Sequence, residues 1–198
     1  MRKLKLQVQV SVDGYVADIN GKTDWLVWNW GPHWDWDDAL KEYFIDLTDT
    51  VDCVLLSRKM AVEGFIDHWA AVAADPKNEQ AAFAKTITAA KKIVFSKTLE
   101  RSVWKNTVIA AEELAIEINN LKNQPGDDII AYGGAGFASE LLQQSLVDEL
   151  YLFVNPTALG IGLKIFVERT KLQLLQSTAF ACGVTVLGFK ALTADPSV

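Results

Sequence analysis

Three places in this chain gather groups suited to holding an anion, and each follows a short, mostly apolar run. Val51–Leu56 leads into Ser57, Arg58 and Lys59; Lys92–Phe95 leads into Ser96, Lys97 and Thr98. Ile129–Tyr132 leads into Gly133 and Gly134, ahead of Ala135, Gly136, Phe137 and Ala138. The residue types divide the work. Arginine and lysine bring charge, serine and threonine bring hydroxyls, and glycine lets a backbone approach a phosphate at a helix start whose N–H groups are unpaired. In open α/β sheets ligands settle in the crevice at the strands' carboxyl ends. A diphosphate on the glycine turn, with a ribose 2′-phosphate on the two cationic clusters, is the chemistry this set suggests. GGAGFA does not have GxGxxG spacing, and no acid follows about twenty residues on to take a ribose hydroxyl. Two plainer readings therefore stand beside it: a tight connection in which glycine supplies positive φ, and a solvated helix start at Arg58 and Lys59.

A second set is aromatic and acidic. Five of the seven tryptophans, Trp25, Trp28, Trp30, Trp34 and Trp36, fall in one stretch that Gly31-Pro32 interrupts, so it is not one continuous helix. It is either a satellite core or the wall of a pocket for a flat ring, with Trp28 and Trp30 as substrate contacts. Asp35, Asp37 and Asp38 follow, ahead of a helical pattern at Ala39, Leu40, Tyr43, Phe44 and Leu47. An aspartate there caps the helix. Alternatively Asp37 or Asp38 lies at the pocket's edge, where tryptophans raise its pKa and let it donate a proton. With only two histidines and two cysteines, Cys53 and Cys182, there is no four-ligand metal cluster. The cysteines read as small core residues in a reducing compartment.

The elements that must position these groups follow from periodicity. Residues 3–12 alternate, with Leu4, Leu6, Val8, Val10 and Val12 on one face, which predicts a strand with one buried side. A loop leaves its end at Asp13-Gly14. Strands follow at Val51–Leu56, Lys92–Phe95, Thr107–Ala110, Ile129–Tyr132 and Glu149–Val154, separated by helical patterns at Met60–Phe65, within 70–90, at Glu112–Lys122 and from Gly136 or Phe137. Leu159–Gly162 reads as a tight irregular loop. Leu172–Phe180 and Val184–Leu192 read as an antiparallel hairpin turning at Ala181-Cys182-Gly183. The 198 residues show no repeat, linker or low-complexity tract, so one α/β domain over 1–198 is expected.

A net charge of −6 argues against a general partner in nucleic acid or an anionic membrane. The alternating N-terminus is neither a signal peptide nor a span, and a cytoplasmic location is expected.

The segments SVDGYVA (11–17), DW (24–25), SRKMAVEGF (57–65), IVFSKTL (93–99), IIAYGGAGFASELLQQSLVDELYLFVNP (129–156) and LGIG (159–162) resemble, in order and over nearly the whole chain, a dihydrofolate reductase-like family. This is the family of the C-terminal reductase domain of the bifunctional riboflavin-biosynthesis deaminase–reductase. The resemblance implies a single, mostly parallel, eight-stranded sheet flanked by helices, with a C-terminal antiparallel hairpin. It implies an NADPH-dependent reductase acting on a small heterocyclic or ribose-derived molecule, with 5-amino-6-(5-phosphoribosylamino)uracil reduction as the first substrate and dihydrofolate as the second. Arg58, Lys59, Ser96, Lys97 and Thr98 then take the 2′-phosphate side, and Gly133 to Ala138 the diphosphate. The loop from Asp13 to Ala17 borders the nicotinamide, Ala17 on the cofactor side and Asp13 and Tyr15 toward substrate. A homodimer through Leu159–Gly162 and the final hairpin also follows from the resemblance. The chain departs from the pattern in Ser57, where the family usually has glycine, and in lacking a deaminase half with its zinc ligands. Its acid after the first strand is only a loose counterpart, which leaves room for a non-catalytic NADPH-binding or regulatory protein. No cation lies between Thr23 and Leu40, which favours a neutral, flat substrate.

Overall fold

Continuous apolar runs become strands buried on both faces. β3 (Val51–Ser57), β4 (Lys91–Phe95) and β6 (Asp128–Tyr132) each bury three or more consecutive residues, as parallel strands covered on both faces do. The computed structural model describes residues 1–31 and 33–192; the proline of the Gly31-Pro32 break lies outside the described residues. It is an α/β fold with an eight-stranded, mostly parallel sheet and an antiparallel C-terminal strand pair, the dihydrofolate reductase-like class. The chain divides into two compact units, Met1–Leu4 with Asp38–Gly134, and Lys5–Asp37 with the segment from Ala135 onward.

The first unit holds four of the eight strands in the order β5 (Thr107–Ile109), β4, β3, β6, all parallel. Its helices are α1 (Asp38–Asp49), α2 (Arg58–Val62), α3 (Phe65–Ala74), α4 (Ala81–Ala89) and α5 (Leu114–Lys122). The helical stretch expected at Met60–Phe65 is thus two helices, broken at Gly64, whose φ of 106° is left-handed and suits glycine. A row of rings fills this unit: Phe44 on Phe83 (4.6 Å), Phe83 on Trp69 (4.7 Å), Trp69 on Phe65 (6.2 Å) and Phe65 on Tyr132 (5.3 Å). Lys92 is buried at 2% exposure and donates to the carbonyls of Ile87, Thr88 and Ala90 at 2.9, 2.8 and 2.7 Å. It therefore caps the carboxyl end of α4, where orphan carbonyls and the negative dipole end both favour a cation.

The second unit holds β1 (Leu4–Val10), β7 (Glu149–Val154), β10 (Thr185–Ala191) and β9 (Leu172–Ala179) in that order, with α6 (Ala135–Gln143). β1 and β7 are parallel, and β10 is antiparallel to both β7 and β9. The expectation of one buried side on the first strand needs correction. Lys5 (7% exposed) and Ser11 (1%) are buried, because a strand flanked inside a sheet is covered on its polar side as well. Cys182 is also corrected: it is half-exposed in the hairpin turn, while Cys53 is buried, and both are free thiols. The loop after the first strand includes β2 (Tyr15–Ala17), which pairs antiparallel with β8 (Leu163–Lys164). That pairing needs Gly162, where a Cβ would stand 2.3 Å from the Ala17 carbonyl oxygen and 3.0 Å from the Tyr15 ring. Among the described residues no helix is long and apolar enough to cross a membrane, and no cluster of metal-ligating side chains occurs.

Candidate functional site

Register aligns the three anion-suited clusters. Ser57 pairs with Phe95 across β3 and β4, and Leu56 pairs with Tyr132 across β3 and β6. The next residues on the three strands, Arg58, Ser96 and Gly133, therefore leave the sheet from neighbouring carboxyl ends, with strands about 4.8 Å apart. Ser57 has φ −66° and ψ 152°, and its Oγ accepts from the Met60 N–H at 3.2 Å. The hydroxyl is thus the N-cap of α2, and no left-handed backbone demands glycine there. Arg58 and Lys59 are exposed. Lys59 Nζ lies 3.7 Å from Glu63 Oε1 one turn on, an exposed pair worth only a few tenths of a kcal/mol. Arg58 makes no ion pair among the described residues.

Ser96 closes the second cluster. Its Oγ accepts from the N–H groups of Thr98 (3.1 Å) and Leu99 (2.9 Å), which fixes the turn and leaves the hydroxyl proton to donate. Lys97 and Thr98 are exposed on that turn, and Lys97, like Arg58, is in no ion pair among the described residues. At the third cluster the positive-φ explanation fails. Neither Gly134 nor Gly136 is among the glycines with positive φ, and a Cβ on either would meet nothing within 4 Å. Both glycines leave open backbone. Helix α6 begins at Ala135, a residue earlier than its pattern suggests; Gly136 and Phe137 lie in its first turn, and Ala138 is buried.

In the second unit the loop after β1 is clamped by Asp13. Its carboxylate accepts from Ser11 Oγ (2.6 Å) and from the N–H groups of Leu159 (3.1 Å) and Gly160 (2.6 Å). Ser11 Oγ in turn accepts from the Tyr15 N–H at 2.9 Å. The Ser11 hydroxyl, then the two amides, hold the Asp13 pKa down at about 2. Because the folded pKa is depressed, the clamp is intact above the usual carboxylate range and is lost only as pH falls through about 2. In an NMR titration the Leu159 and Gly160 amide shifts should therefore move with a midpoint near 2, and a midpoint near 4 would show that the carboxylate does not hold them. Tyr15 is half-exposed, 5.6 Å below Lys164 Nζ, and Ala17 is buried.

The tryptophan stretch resolves into core and rim. Trp28, Trp34 and Trp36 are each 3% exposed. Trp28 meets Trp36 edge-on at 4.7 Å, and Trp36 stacks on Phe153 at 5.5 Å. Asn155, fully buried, ties this loop down: its Oδ1 accepts from the Val27 N–H (2.9 Å), while Gln9 Nε2 donates to the Trp28 carbonyl (3.1 Å). Trp28, proposed from sequence as a pocket wall, is thus a core residue. Trp30 is half-exposed with a left-handed φ of 55°. Asp37 Oδ2 accepts from the Cys182 N–H at 2.8 Å, holding the hairpin turn. Asp38 has a side chain 96% exposed, 3.6 Å from Lys41 Nζ. Asp38 therefore lies in solvent and not at the edge of an apolar pocket.

Sequence reasoning passed over Tyr132, whose ring is 8% exposed at the carboxyl end of β6, and Asn155, whose Asn-Pro context read only as a strand end.

The family model for the RibD C-terminal domain matches residues 2–186. The uncharacterized protein YyaP of Bacillus subtilis is 30% identical over 190 residues, covering 92% of each chain. A candidate riboflavin biosynthesis protein of Shewanella sp. PV-4 superimposes with a TM-score of 0.67 at 18% identity, covering 96% of this chain and 99% of that one. The deaminase/5-amino-6-(5-phosphoribosylamino)uracil reductase of Thermotoga maritima gives 0.64 at 16% identity, covering 96% of this chain and 57% of that longer one.

Proposed function

Since the chain belongs to the RibD C-terminal domain family, we propose that it is an NADPH-dependent reductase of the 5-amino-6-(5-phosphoribosylamino)uracil reductase type, acting on a small heterocyclic or ribose-derived molecule. The observation that carries this reading is the row of neighbouring strand ends at Arg58, Ser96 and Gly133. Two cations there, Arg58 and Lys97, have no ion-pair partner among the described residues, although the chain is acidic overall.

The residues fit the cofactor. Arg58 and Lys97 supply charge for a 2′-phosphate, with Lys59 weakened by Glu63; Ser96 and Thr98 supply hydroxyl donors. Gly134 and Gly136 leave room for close backbone approach by a diphosphate. NADPH, when bound, brings the hydride; the protein orients the rings and excludes water. The clamp at Asp13 fixes the loop carrying Tyr15 and Ala17, and its rigidity is what a positioning wall requires. Of the two acids, Asp37 is the one the fold holds in place. A homodimer, a small-molecule substrate and a cytoplasmic setting, with neither nucleic acid nor membrane as partner, belong to the same reading.

A second reading, a binding or regulatory protein that takes NADPH without turnover, is favoured by one observation: Asp37 is engaged by the Cys182 amide and Asp38 is exposed. Oxidation of NADPH, followed by absorbance with the aminouracil substrate and separately with dihydrofolate, separates the two. Turnover with the aminouracil substrate is expected. Tight NADPH binding with turnover of neither would transfer the protein to the second reading.

A further inference from the structure

Tyr132 closes the row of rings in the first unit and is the residue before Gly133 and Gly134. Its ring is nine-tenths buried against Phe65, and its hydroxyl has no hydrogen-bond partner among the described residues. A buried hydroxyl without a partner carries a desolvation penalty that phenylalanine of the same shape would not. Burial also pushes the phenol well above its ordinary pKa, so the group is neutral and can donate. The other rings of this row, Phe44, Phe83, Trp69 and Phe65, carry no hydroxyl. Tyr132 is thus the hydroxyl-bearing ring of the row, and it is the last residue of β6, directly before Gly133.

We infer that the Tyr132 hydroxyl is a positioning contact for the nicotinamide half of the bound dinucleotide, its missing partner being a polar group of that half. This deepens the NADPH reading and rests on it: with the diphosphate on Gly133 and Gly134, the half-molecule nearest Tyr132 is the nicotinamide side, while Arg58 and Lys97 hold the adenosine side. The hydroxyl is shielded in the free protein, so its surroundings must shift when the ligand enters.

Calorimetric titration of wild type and Tyr132→Phe with NADPH and with 2′,5′-ADP, which lacks the nicotinamide half, tests this. The variant should bind NADPH about five- to tenfold more weakly, the range of one net hydrogen bond. It should bind 2′,5′-ADP unchanged and melt, ligand-free, at the same temperature or higher. That opposite movement of affinity and stability is not what a packing role gives. Equal NADPH affinity in the two proteins overturns the Tyr132 assignment and leaves the NADPH reading standing. Parallel losses for both probes with a lowered melting temperature overturn it in favour of a packing role. A wild type that does not bind NADPH overturns both.

Discussion

Replacing Arg58 and Lys97 together by alanine should weaken NADPH binding about 30- to 1,000-fold while leaving NADH binding unchanged. The two cations leave neighbouring carboxyl ends, β3 and β4, whose last residues Ser57 and Phe95 are paired. A phosphate between them accepts charge-assisted hydrogen bonds, each worth about 1.5–3 kcal/mol. Both side chains are exposed, so the sum is discounted to about 2–4 kcal/mol, which is the stated range. NADH lacks the 2′-phosphate and so loses nothing. The fold should be unaffected, since exposed substitutions away from caps and cores stay within about 0.5 kcal/mol. Lys59→Ala alone should cost less than either, because Glu63 already competes for it at 3.7 Å. Titration by tryptophan quenching, with thermal melts as a control, reads all of these. Equal losses for NADPH and NADH would show that the cations do not meet the 2′-phosphate, and no loss would remove them from the site altogether.

The parts of the fold legible in sequence were those whose pattern has one physical cause. β3, β4 and β6 each carry a run of consecutive apolar residues (Cys53–Leu56, Ile93–Phe95 and Ile129–Tyr132) because their middles are buried on both faces, and their boundaries fall within a residue or two of the expected ones. β1 was legible as a strand but not as a doubly covered one. Alternation records polarity, and a polar residue with an internal partner looks the same as a solvated one. Gln9 is such a case, since it bonds the Trp28 carbonyl and Asn155. The pair β2 and β8 was hidden for another reason: three and two residues are too few to show a period.

At the candidate site, residue types at strand ends were visible and their states were not. Nothing in Arg58-Lys59 says that one is engaged by Glu63 and the other is not. Ser57 read as a departure from glycine, yet its hydroxyl does a capping job that its neighbour Met60 defines. The glycines at 134 and 136 invited a conformational explanation that their backbone angles remove. Side-chain partnership depends on contacts across the sheet, which local spacing does not encode.

The tryptophan stretch shows the same limit, and Trp36→Ala tests the outcome. Trp36 is 3% exposed, stacks on Phe153 at 25° and meets Trp28 edge-on. Truncating a fully packed tryptophan costs about 3–5 kcal/mol, a large share of the 5–15 kcal/mol typical of a folded domain. Urea unfolding should show that loss as a lower midpoint at unchanged slope. Trp30→Ala, at a half-exposed position with left-handed backbone, should cost less than about 1 kcal/mol. The contrast separates the two meanings of a tryptophan-rich loop. Rings serving as a ligand wall would, on truncation, lower affinity with little change in stability. Rings forming a satellite core do the reverse, and Asn155 anchoring Val27 makes the loop depend on that core. If Trp36→Ala proved no more destabilising than Trp30→Ala, the satellite-core assignment would be wrong and the pocket-wall reading of Trp28 would return. With the expected gap, Trp30 is left as the ring of the pair able to face a substrate.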